Sequence, residues 1–365
     1  MEYRILPHGG DRISVIGLGM GSIHESDDAE VERVVRTALD EGVNFFDFVA
    51  SESGPFEGYA RALRGQRERA MLQVHIGADF SSGKYGWTTD AKVARREFEA
   101  RLAVLDTDYA DFGFIHCIDE DADFDKIMNG GIWDYALKMK QEGAIRHLGF
   151  STHDVRIARR FLETGAMDLG MFSINPMYDY TSESDYGKGD ASERMDLYRE
   201  FERRGVAISV MKAYAGGQLL DARRSPFGRA LTIPQCIQYA LDKPGVVTVL
   251  PGVRGMDDLR SALAYLDASP EERDYSVLSQ VAPSSIEGSC VYCNHCQPCP
   301  TGLPIGLINK YYDLARVGDE LAANHYRQLD VHASDCIGCG HCDGRCPFGV
   351  EQSARMREIA RYFGE

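Results

Sequence analysis

Long apolar runs are missing from this 365-residue chain, although 44% of its residues are hydrophobic. No stretch of about 18 uninterrupted apolar residues occurs, which is roughly the shortest length that a membrane-spanning helix requires. The first residues, MEYRILPHGG, also lack the basic segment and apolar core of a secretion signal. We therefore predict a cytoplasmic protein without a membrane span.

Positive charge is scarce as well, since 40 Lys and Arg residues stand against 56 Asp and Glu residues and give a formal net charge of -16. A protein binds a nucleic acid backbone largely by displacing counterions with clustered Lys and Arg. The composition therefore argues against a nucleic acid partner. An acidic surface suits a basic redox partner as well as plain solvation, so charge does not choose between these two.

Cysteine is nearly absent outside one segment, because eight of the ten cysteines lie between residues 290 and 346 and the others are Cys117 and Cys236. The eight form two groups of four, each followed by a proline: Cys290, Cys293, Cys296 and Cys299, then Cys336, Cys339, Cys342 and Cys346. The second group has the C-x2-C-x2-C-x3-C-P spacing of bacterial ferredoxins. The pattern predicts two [4Fe-4S] clusters, and hence one-electron transfer.

In ferredoxins of this kind three adjacent cysteines hold one cluster and the fourth reaches across to the other. That rule assigns Cys346 to the first cluster and Cys299 to the second, although Cys299 follows a gap of two residues instead of three. The alternatives are structural zinc and a disulfide scaffold. Zinc knuckles are separated CxxC pairs, and disulfides are rare in the cytoplasm, so we favour the clusters.

Through residue 270 short apolar runs alternate with longer amphipathic stretches, as in a parallel sheet with crossover helices. Eight such units over about 250 residues fit a closed (β/α)8 barrel better than an open doubly wound sheet. The predicted strands are residues 14–19, 43–48, 70–76, 111–117, 147–151, 171–174, 206–211 and 246–250.

Two further segments complete the predicted organisation. Residues 2–16 contain two strand-like pieces around Gly9 and Gly10 and predict a hairpin before the barrel. A Pro/Ser/Gly stretch, APSSIEGS, ends the alternation and places a domain boundary near residue 284. We therefore predict an α/β fold, with a (β/α)8 TIM barrel at residues 1–284 and an α-helical, ferredoxin-like dicluster domain at 285–365.

Four segments together resemble the aldo/keto reductase superfamily, and with the cysteine-rich tail they resemble its iron-sulfur branch. The segments are NFFDF at 44–48, RLAVLDTDYADFGFIHCID at 101–119, KMKQEGAIRHLGFSTH at 138–153 and VMKAYAGGQLL at 210–220. The resemblance covers nearly the whole chain. It implies a barrel whose active site lies at the carboxy ends of the strands.

The resemblance also implies a catalytic tetrad of Asp, Tyr, Lys and His, in which Tyr protonates a carbonyl that receives hydride from NADPH. Asp47 and His116 match two of these positions. His75 stands at the Lys position, and the Tyr position falls near Ser53 or Gly54. The ordinary proton donor and the residue that tunes it are therefore both replaced.

Asp47, His75 and His116 end neighbouring predicted strands, so we expect them to converge at one mouth of the barrel. We predict that they are catalytic and that the histidines supply protons near neutral pH. A mononuclear metal is one alternative, because a carboxylate with two imidazoles suits non-haem iron or zinc. A packed His75 in a decayed site is the other.

For a nicotinamide cofactor, the resemblance implies amide contacts from Ser151 and Asn175 and phosphate contacts from Gly252 and Arg254 at the start of a helix. The Glu-Asn pair with which the family contacts adenine is replaced here by Ser and Ala. NAD(P)H is therefore a candidate cofactor with incomplete support. Lys212, in the MK pair after the seventh strand, is a further candidate site residue.

We predict an iron-sulfur oxidoreductase that reduces a small organic substrate in the barrel mouth with electrons delivered through two [4Fe-4S] clusters. In this superfamily the segment after the last barrel helix closes over the active site, so we expect a cluster to approach the pocket. The alternatives are an NAD(P)H-dependent reductase with accessory clusters and a non-catalytic electron-transfer or redox-sensing subunit. The expected partners are the substrate and ferredoxin or another electron donor.

Overall fold

The computed structural model describes most of the chain, namely residues 1–23, 26–49, 55–83, 85–180, 187–280, 288, 290–316 and 320–365. Ser53 and Gly54, the positions considered for the missing Tyr, lie outside the described residues. The domain boundary predicted near residue 284 also lies outside them, so it stays a prediction.

Twelve strands occur in the described residues, and eight of them form one parallel sheet. The strands are β1 (Tyr3–Ile5), β2 (Arg12–Ser14), β3 (Leu18–Gly19), β4 (Phe45–Phe48), β5 (Met71–Ile76), β6 (Ala78–Asp79), β7 (Gly86–Trp87), β8 (Ala110–Ile115), β9 (Ile145–Thr152), β10 (Leu169–Ser173), β11 (Ala207–Met211) and β12 (Val246–Val249). β1 and β2 pair antiparallel, with Tyr3 opposite Ser14, which confirms the predicted hairpin.

The parallel sheet has the strand order β3-β4-β5-β8-β9-β10-β11-β12. Its two edges meet beside β12, because Gly17 N–H donates to Val249 O and Val249 N–H donates to Val15 O, both at 2.9 Å. Each strand of the sheet overlaps one of the eight predicted runs. The alternating pattern of the sequence therefore identified the barrel strands correctly.

Fourteen α-helices occur in the described residues, most of them between successive barrel strands. They are α1 (Asp28–Asp40), α2 (Pro55–Leu63), α3 (Ala91–Val104), α4 (Asp121–Asn129), α5 (Ile132–Gln141), α6 (Val155–Glu163), α7 (Pro176–Tyr180), α8 (Ala191–Arg203), α9 (Ile233–Leu241), α10 (Met256–Leu263), α11 (Pro270–Arg273), α12 (Ile305–Arg316), α13 (Glu320–Arg327) and α14 (Gln352–Phe363). Side-chain caps start several of them, as where Asp90 accepts hydrogen bonds from the Lys92 and Val93 amides. No helix in the described part of the chain has both the length and the apolar composition that crossing a membrane requires.

Side chains alternate between the barrel interior and the surrounding helices along each strand. Phe45 of β4 and Phe112 of β8 belong to the same buried interior cluster, with ring centroids 5.4 Å apart. Asp47 lies two residues beyond Phe45, and His116 lies four residues beyond Phe112, so the alternation directs both toward the same interior. The apolar filling thus gives way to polar side chains at the carboxy ends of the strands.

A buried ionic cluster fixes α7, α8 and α9 to one another. Asp179 accepts hydrogen bonds from Arg194 Nε and the Tyr198 hydroxyl on Oδ1 and from the Tyr239 hydroxyl on Oδ2, each at 2.7 Å. Arg194 is completely buried. Replacing Asp179 with Ala would leave that guanidinium without its counter-charge, so we expect the free energy of unfolding to fall by about 3–5 kcal/mol.

Urea denaturation of the full chain, followed by circular dichroism, measures this loss. Glu99→Ala is the control, because Glu99 belongs to an exposed ion pair and its removal should change stability by less than about 1 kcal/mol. Equal small effects for both variants would show that the Asp179 cluster does not stabilise the barrel.

Candidate active site

A cavity of about 770 Å³ opens at the carboxy ends of the barrel strands. Six of the predicted barrel site residues line it, namely Asp47, His75, His116, Ser151, Gly252 and Arg254. Ser151 is held there by the Cys117 backbone, whose N–H donates to Ser151 Oγ at 2.8 Å. Asn175, the seventh, is fully buried beneath the cavity lining.

Four side chains form a continuous chain of hydrogen bonds from the barrel interior to this cavity. His75 Nε2 lies 2.8 Å from Asp47 Oδ1, and His116 Nδ1 lies 2.9 Å from His75 Nδ1. The Tyr85 hydroxyl lies 2.6 Å from His116 Nε2. Gln73 Nε2 donates a further hydrogen bond to Asp47 Oδ1 at 2.8 Å. We call Asp47, His75, His116 and Tyr85 the tyrosine relay.

The positions of the hydrogen atoms along the tyrosine relay follow from the Asp47 carboxylate at one end of it. A carboxylate only accepts hydrogen bonds, so His75 carries its proton on Nε2 and accepts through Nδ1. Burial and the neighbouring His75 hold the pKa of His116 well below its ordinary value, so His116 is neutral. It donates through Nδ1 and accepts the Tyr85 hydroxyl hydrogen at Nε2. A proton added at Asp47 would exchange donor and acceptor in each of the three hydrogen bonds of the relay. The Tyr85 hydroxyl hydrogen would then point into the cavity.

Tyr85 was missed by the sequence analysis. It belongs to the β6–β7 hairpin, an insertion between β5 and α3 that places its ring 5.6 Å from the His116 ring, edge to face. Strand periodicity could not indicate this contact, because β6 and β7 have only two residues each. The available signal was a Tyr between Gly83 and Gly86 in the loop after a site strand.

A second polar network faces the same cavity, and we call it the lysine relay: Asp119, His153 and Lys212. Asp119 accepts from His153 Nδ1 at 2.8 Å and from the His153 backbone N–H at 2.6 Å. Burial acts to raise the pKa of Asp119, but the hydrogen bonds from His153 and Thr152 outweigh it and lower the pKa to about 2. The anionic Asp119 fixes the His153 proton on Nδ1, so His153 Nε2 accepts from Lys212 Nζ, 2.6 Å away.

Lys212 combines a lowered pKa with a strained backbone. Burial lowers the pKa of Lys212 to about 8, against the opposing influence of Cys117 and Asp119. Its φ of 58° lies in the left-handed region, which residues with side chains rarely adopt. Asn175 holds this conformation, since its Nδ2 donates to Lys212 O at 2.8 Å, while its Oδ1 accepts from Tyr178 N–H. Asn175 thus supports the site from below.

The geometry gives no support to a mononuclear metal at the predicted residues, because hydrogen bonds join them in a line. The side chains that lie close enough to share one ion are Cys117, Asp119 and His153, whose ligand atoms lie within 4.8 Å of one another in the described part of the chain. Burial raises the pKa of Cys117 to about 11, and its thiol lies 3.9 Å from Asp119 Oδ2 as a hydrogen-bond donor. The hydrogen bonds that Asp119 accepts from His153 and from the Cys117 thiol explain why these three side chains lie together.

Acidic side chains occupy the position predicted for a cofactor phosphate. The Met256 N–H at the start of α10 donates to Glu30 Oε1 at 3.1 Å. Arg254 Nε donates to Asp258 Oδ2 at 2.8 Å, so its guanidinium already has an anionic partner. The positive end of a helix attracts one anion at a time. A phosphate beside Gly252 would therefore have to displace or face these carboxylates.

Seven of the eight predicted cluster cysteines fall into two sets in space. Cys299 lines a small recess together with Cys336, Cys339 and Cys342. Cys290, Cys293 and Cys346 pack instead against the barrel core. Cys296 packs in the same apolar cluster as Cys299, Cys336 and Cys342, while its thiol also interacts with those of Cys290, Cys293 and Cys346. The crossed assignment, in which Cys299 and Cys346 change places, therefore stays a prediction.

Burial favours the protonated form of these thiols as long as no cation is bound. Burial, with smaller contributions from the nearby Cys290 and Cys346 thiols, raises the pKa of Cys293 to about 12. Burial likewise raises the pKa of Cys342 to about 11, with a contribution from Cys336. Several buried thiols can ionise together only when a cation neutralises them, as a metal core does. The donor chemistry, two groups of four thiols, is what fits iron-sulfur clusters.

The two cysteine loops also share a backbone pattern. Tyr292 and Asn294 flank the second cysteine of the first loop with φ of 64° and 58°, and Gly338 and Gly340 flank the second cysteine of the other with φ of 65° and 68°. A left-handed conformation costs about 1–2 kcal/mol for a residue that carries a side chain. Because two different sequences adopt the same left-handed backbone conformation around the second cysteine, the two loops are suited to bind similar groups.

The cysteine-bearing segment packs on the outside of the barrel, against α8. Lys310 of α12 lies 3.3 Å from Glu202, and Asp313 lies 3.4 Å from Arg199. None of the described residues beyond Asp258 lines the cavity at the barrel mouth. The expectation that this segment closes over the pocket is therefore not met by the described residues, whose contacts with the barrel lie away from the cavity lining.

A closed parallel barrel with acid and base side chains at the carboxy ends of its strands is the architecture of (β/α)8 enzymes. Residues 15–227, more than half of the chain, match the sequence model of the aldo/keto reductase family. The chain belongs to the aldo/keto reductase family and is an aldo/keto-reductase-like oxidoreductase. The family resemblance of the sequence is thus confirmed, whereas the iron-sulfur branch stays a prediction. A comparison with curated proteins finds no match.

Solved structures of other aldo-keto reductases share the fold. AKR11C1 from Bacillus halodurans, in its holo form, is 21% identical with a TM-score of 0.62, covering 78% of this chain and 97% of that one. PA4992 from Pseudomonas aeruginosa is 24% identical with a TM-score of 0.56, covering 72% and 95%. An aldo/keto reductase from Klebsiella pneumoniae, in complex with NADP and acetate, is 19% identical with a TM-score of 0.54, covering 75% and 93%.

Proposed function

We propose that the chain is an iron-sulfur oxidoreductase that reduces a small carbonyl compound in the barrel mouth, with Tyr85 as the proton donor. The observation that carries the proposal is the tyrosine relay, which ends on a phenol at the cavity although the ordinary Tyr position holds no Tyr. A general acid must lie within hydrogen-bond reach of the atom that it protonates. Tyr85 supplies such an acid from a different loop.

The number of proton donors in the cavity indicates whether the substrate receives single electrons or a hydride. Reduction of a carbonyl to an alcohol takes up two electrons and two protons when no hydride is transferred, whereas hydride transfer needs only one proton from the enzyme. Tyr85 would protonate the oxygen, and Lys212, which lines the same cavity, would protonate the carbon. With a pKa of about 8, Lys212 is mostly protonated at neutral pH yet able to release its proton.

The cysteines would serve the electron supply. Two [4Fe-4S] clusters, when bound, would supply electrons one at a time. One would be held by Cys290, Cys293, Cys296 and Cys346, and the other by Cys299, Cys336, Cys339 and Cys342. The position of the first set against the barrel core suits transfer from the cysteine segment into the barrel.

An NAD(P)H-dependent reductase with accessory clusters is the second candidate function. Membership of the aldo/keto reductase family favours it, as does the position of Ser151 and Gly252 in the cavity lining. The NADP-bound Klebsiella pneumoniae structure shares the fold. Against it, Glu30 caps the helix that would receive the cofactor phosphate, and Asp258 neutralises Arg254.

Anaerobic protein separates the two candidates. After reduction with dithionite and removal of the excess, the protein is mixed with benzaldehyde, glyceraldehyde or pyruvate, and reoxidation is followed by visible absorbance and by alcohol formation. We expect stoichiometric alcohol without NADPH, and much slower reoxidation in His116→Gln. Carbonyl reduction that requires NADPH and persists in the double variant Cys290→Ser/Cys336→Ser would contradict the proposal and support the second candidate.

A further inference from the structure

Lys243, between α9 and β12, is a lysine in an unusual position. Its side chain is completely buried. Its Nζ has no hydrogen-bond partner among the residues that the structure describes, and it lies 3.8 Å from the centre of the Tyr239 ring. A ring face attracts a cation, but this attraction alone is small beside the cost of removing an ammonium from water. The lysine therefore needs a further source of negative charge.

The first cysteine loop lies directly beyond an aromatic ring from Lys243. Lys243 Nζ is 6.0 Å from the centre of the Tyr275 ring, and the Tyr275 hydroxyl lies 3.3 Å from Val291 O, between Cys290 and Cys293. Cys293 also packs against the same core cluster as Tyr239 and Tyr275. The ammonium is therefore enclosed between the barrel and the loop.

The carboxylates near Lys243 have other partners. Asp179 accepts from Arg194, Tyr198 and Tyr239, and Asp242 accepts from the Tyr275 hydroxyl at 2.8 Å. Burial lowers the pKa of Lys243, while Asp179, Asp242 and the Cys293 and Cys290 thiols act in the opposite direction. Protonated thiols contribute little negative charge, whereas metal-bound thiolates contribute much more. Ionised cysteines would thus complete the counter-charge.

We propose that Lys243 is a barrel-supplied counter-charge for the metal-thiolate centre of Cys290, Cys293, Cys296 and Cys346, and that it raises the reduction potential of this centre. The inference rests on the proposed function, because it requires the clusters. A fixed positive charge stabilises the reduced, more negative form of a centre more than its oxidised form. Lys243 therefore favours electron residence at the centre nearest to the barrel.

The test is a redox titration of anaerobically purified full-length protein, monitored by electron paramagnetic resonance. Lys243→Met removes the charge and keeps a similar volume, and Lys243→Gln is the second variant should the first fold poorly. We expect unchanged iron and sulfide content, a more negative potential for one of two centres, and an unchanged potential for the other. Lys310→Met is the matched control, since Lys310 pairs with Glu202 at a half-exposed position, and it should leave both potentials unchanged.

The outcomes separate the inference from the function on which it rests. If the wild type contains two iron centres and neither potential differs between the wild type and the two Lys243 variants, the inference is overturned. The proposed clusters would not be affected by that result. A shift of equal size in Lys310→Met would also overturn it, because the effect would then be one of net charge. Absence of iron from the wild type would overturn the proposed clusters and the inference together.

Discussion

Replacement of Tyr85 with Phe is expected to lower the rate of carbonyl reduction by about 10²- to 10⁴-fold, the range over which a positioned general acid contributes. The substitution removes the hydroxyl that ends the tyrosine relay, 2.6 Å from His116 Nε2. It keeps the ring, whose contacts with His116 and Phe80 are edge to face or tilted and do not depend on the hydroxyl. The loss should therefore appear in kcat, with little change in the unfolding midpoint.

The measurement compares alcohol formation by reduced wild-type and Tyr85→Phe protein under identical conditions. Trp87→Phe is the control, because Trp87 lies on the same hairpin, is 60% exposed and does not line the cavity. It should retain the wild-type rate. A Tyr85→Phe protein that works at the wild-type rate, beside a His116→Gln protein that does not, would assign proton donation to His116 instead.

The strand-end residues of the site were predictable because they depend only on strand register. Asp47 and His75 lie on adjacent parallel strands and His116 directly follows the next one, so counting to the end of each apolar run was enough to bring them together. Tyr85 was not predictable in this way, because its position depends on the path of an inserted loop. Of the lysine relay, the sequence indicated only Lys212, since Asp119 meets His153 through a turn after β8.

The predicted phosphate site shows the limit of carrying residues over from a resemblance. Gly252 and Arg254 lie where the resemblance placed them, at the cavity edge before α10. The capping carboxylate of Glu30, however, comes from α1, 226 residues away along the chain. A contact of that sequence separation leaves no local pattern, so the contribution of Glu30 to this helix start appears only in the folded chain.

The surface of the barrel against which the cysteine segment packs could not be predicted from the sequence. The spacing of the eight cysteines predicts two loops of four, and both loops have left-handed residues on either side of their second cysteine. How the eight share two centres stays a prediction. It did not indicate which face of the barrel the segment meets. That choice depends on ion pairs such as those of Arg199 and Lys310 with residues far along the chain, which look like ordinary surface charges in the sequence.

The crossed assignment of the cysteines makes a prediction with an all-or-none outcome. Replacing Cys299 with Ser should remove the centre that Cys336, Cys339 and Cys342 share, because Cys299 lines their recess, and should leave the other centre intact. Replacing Cys346 should do the opposite, because Cys346 packs with Cys290 and Cys293 against the barrel. Each single variant should therefore retain about half of the bound iron and sulfide.

Double variants decide the assignment, because two ligands of one centre cannot be lost independently. Cys299→Ser/Cys336→Ser should retain the same iron as either single variant, whereas Cys346→Ser/Cys336→Ser should lose nearly all of it. Iron and sulfide analysis with electron paramagnetic resonance of the reduced protein measures both. If the first pair lost both centres and the second pair only one, Cys299 would belong to the cluster of its own loop. The recess that it lines with Cys336 would then be a packing contact between loops, and the barrel-side centre would lack Cys346.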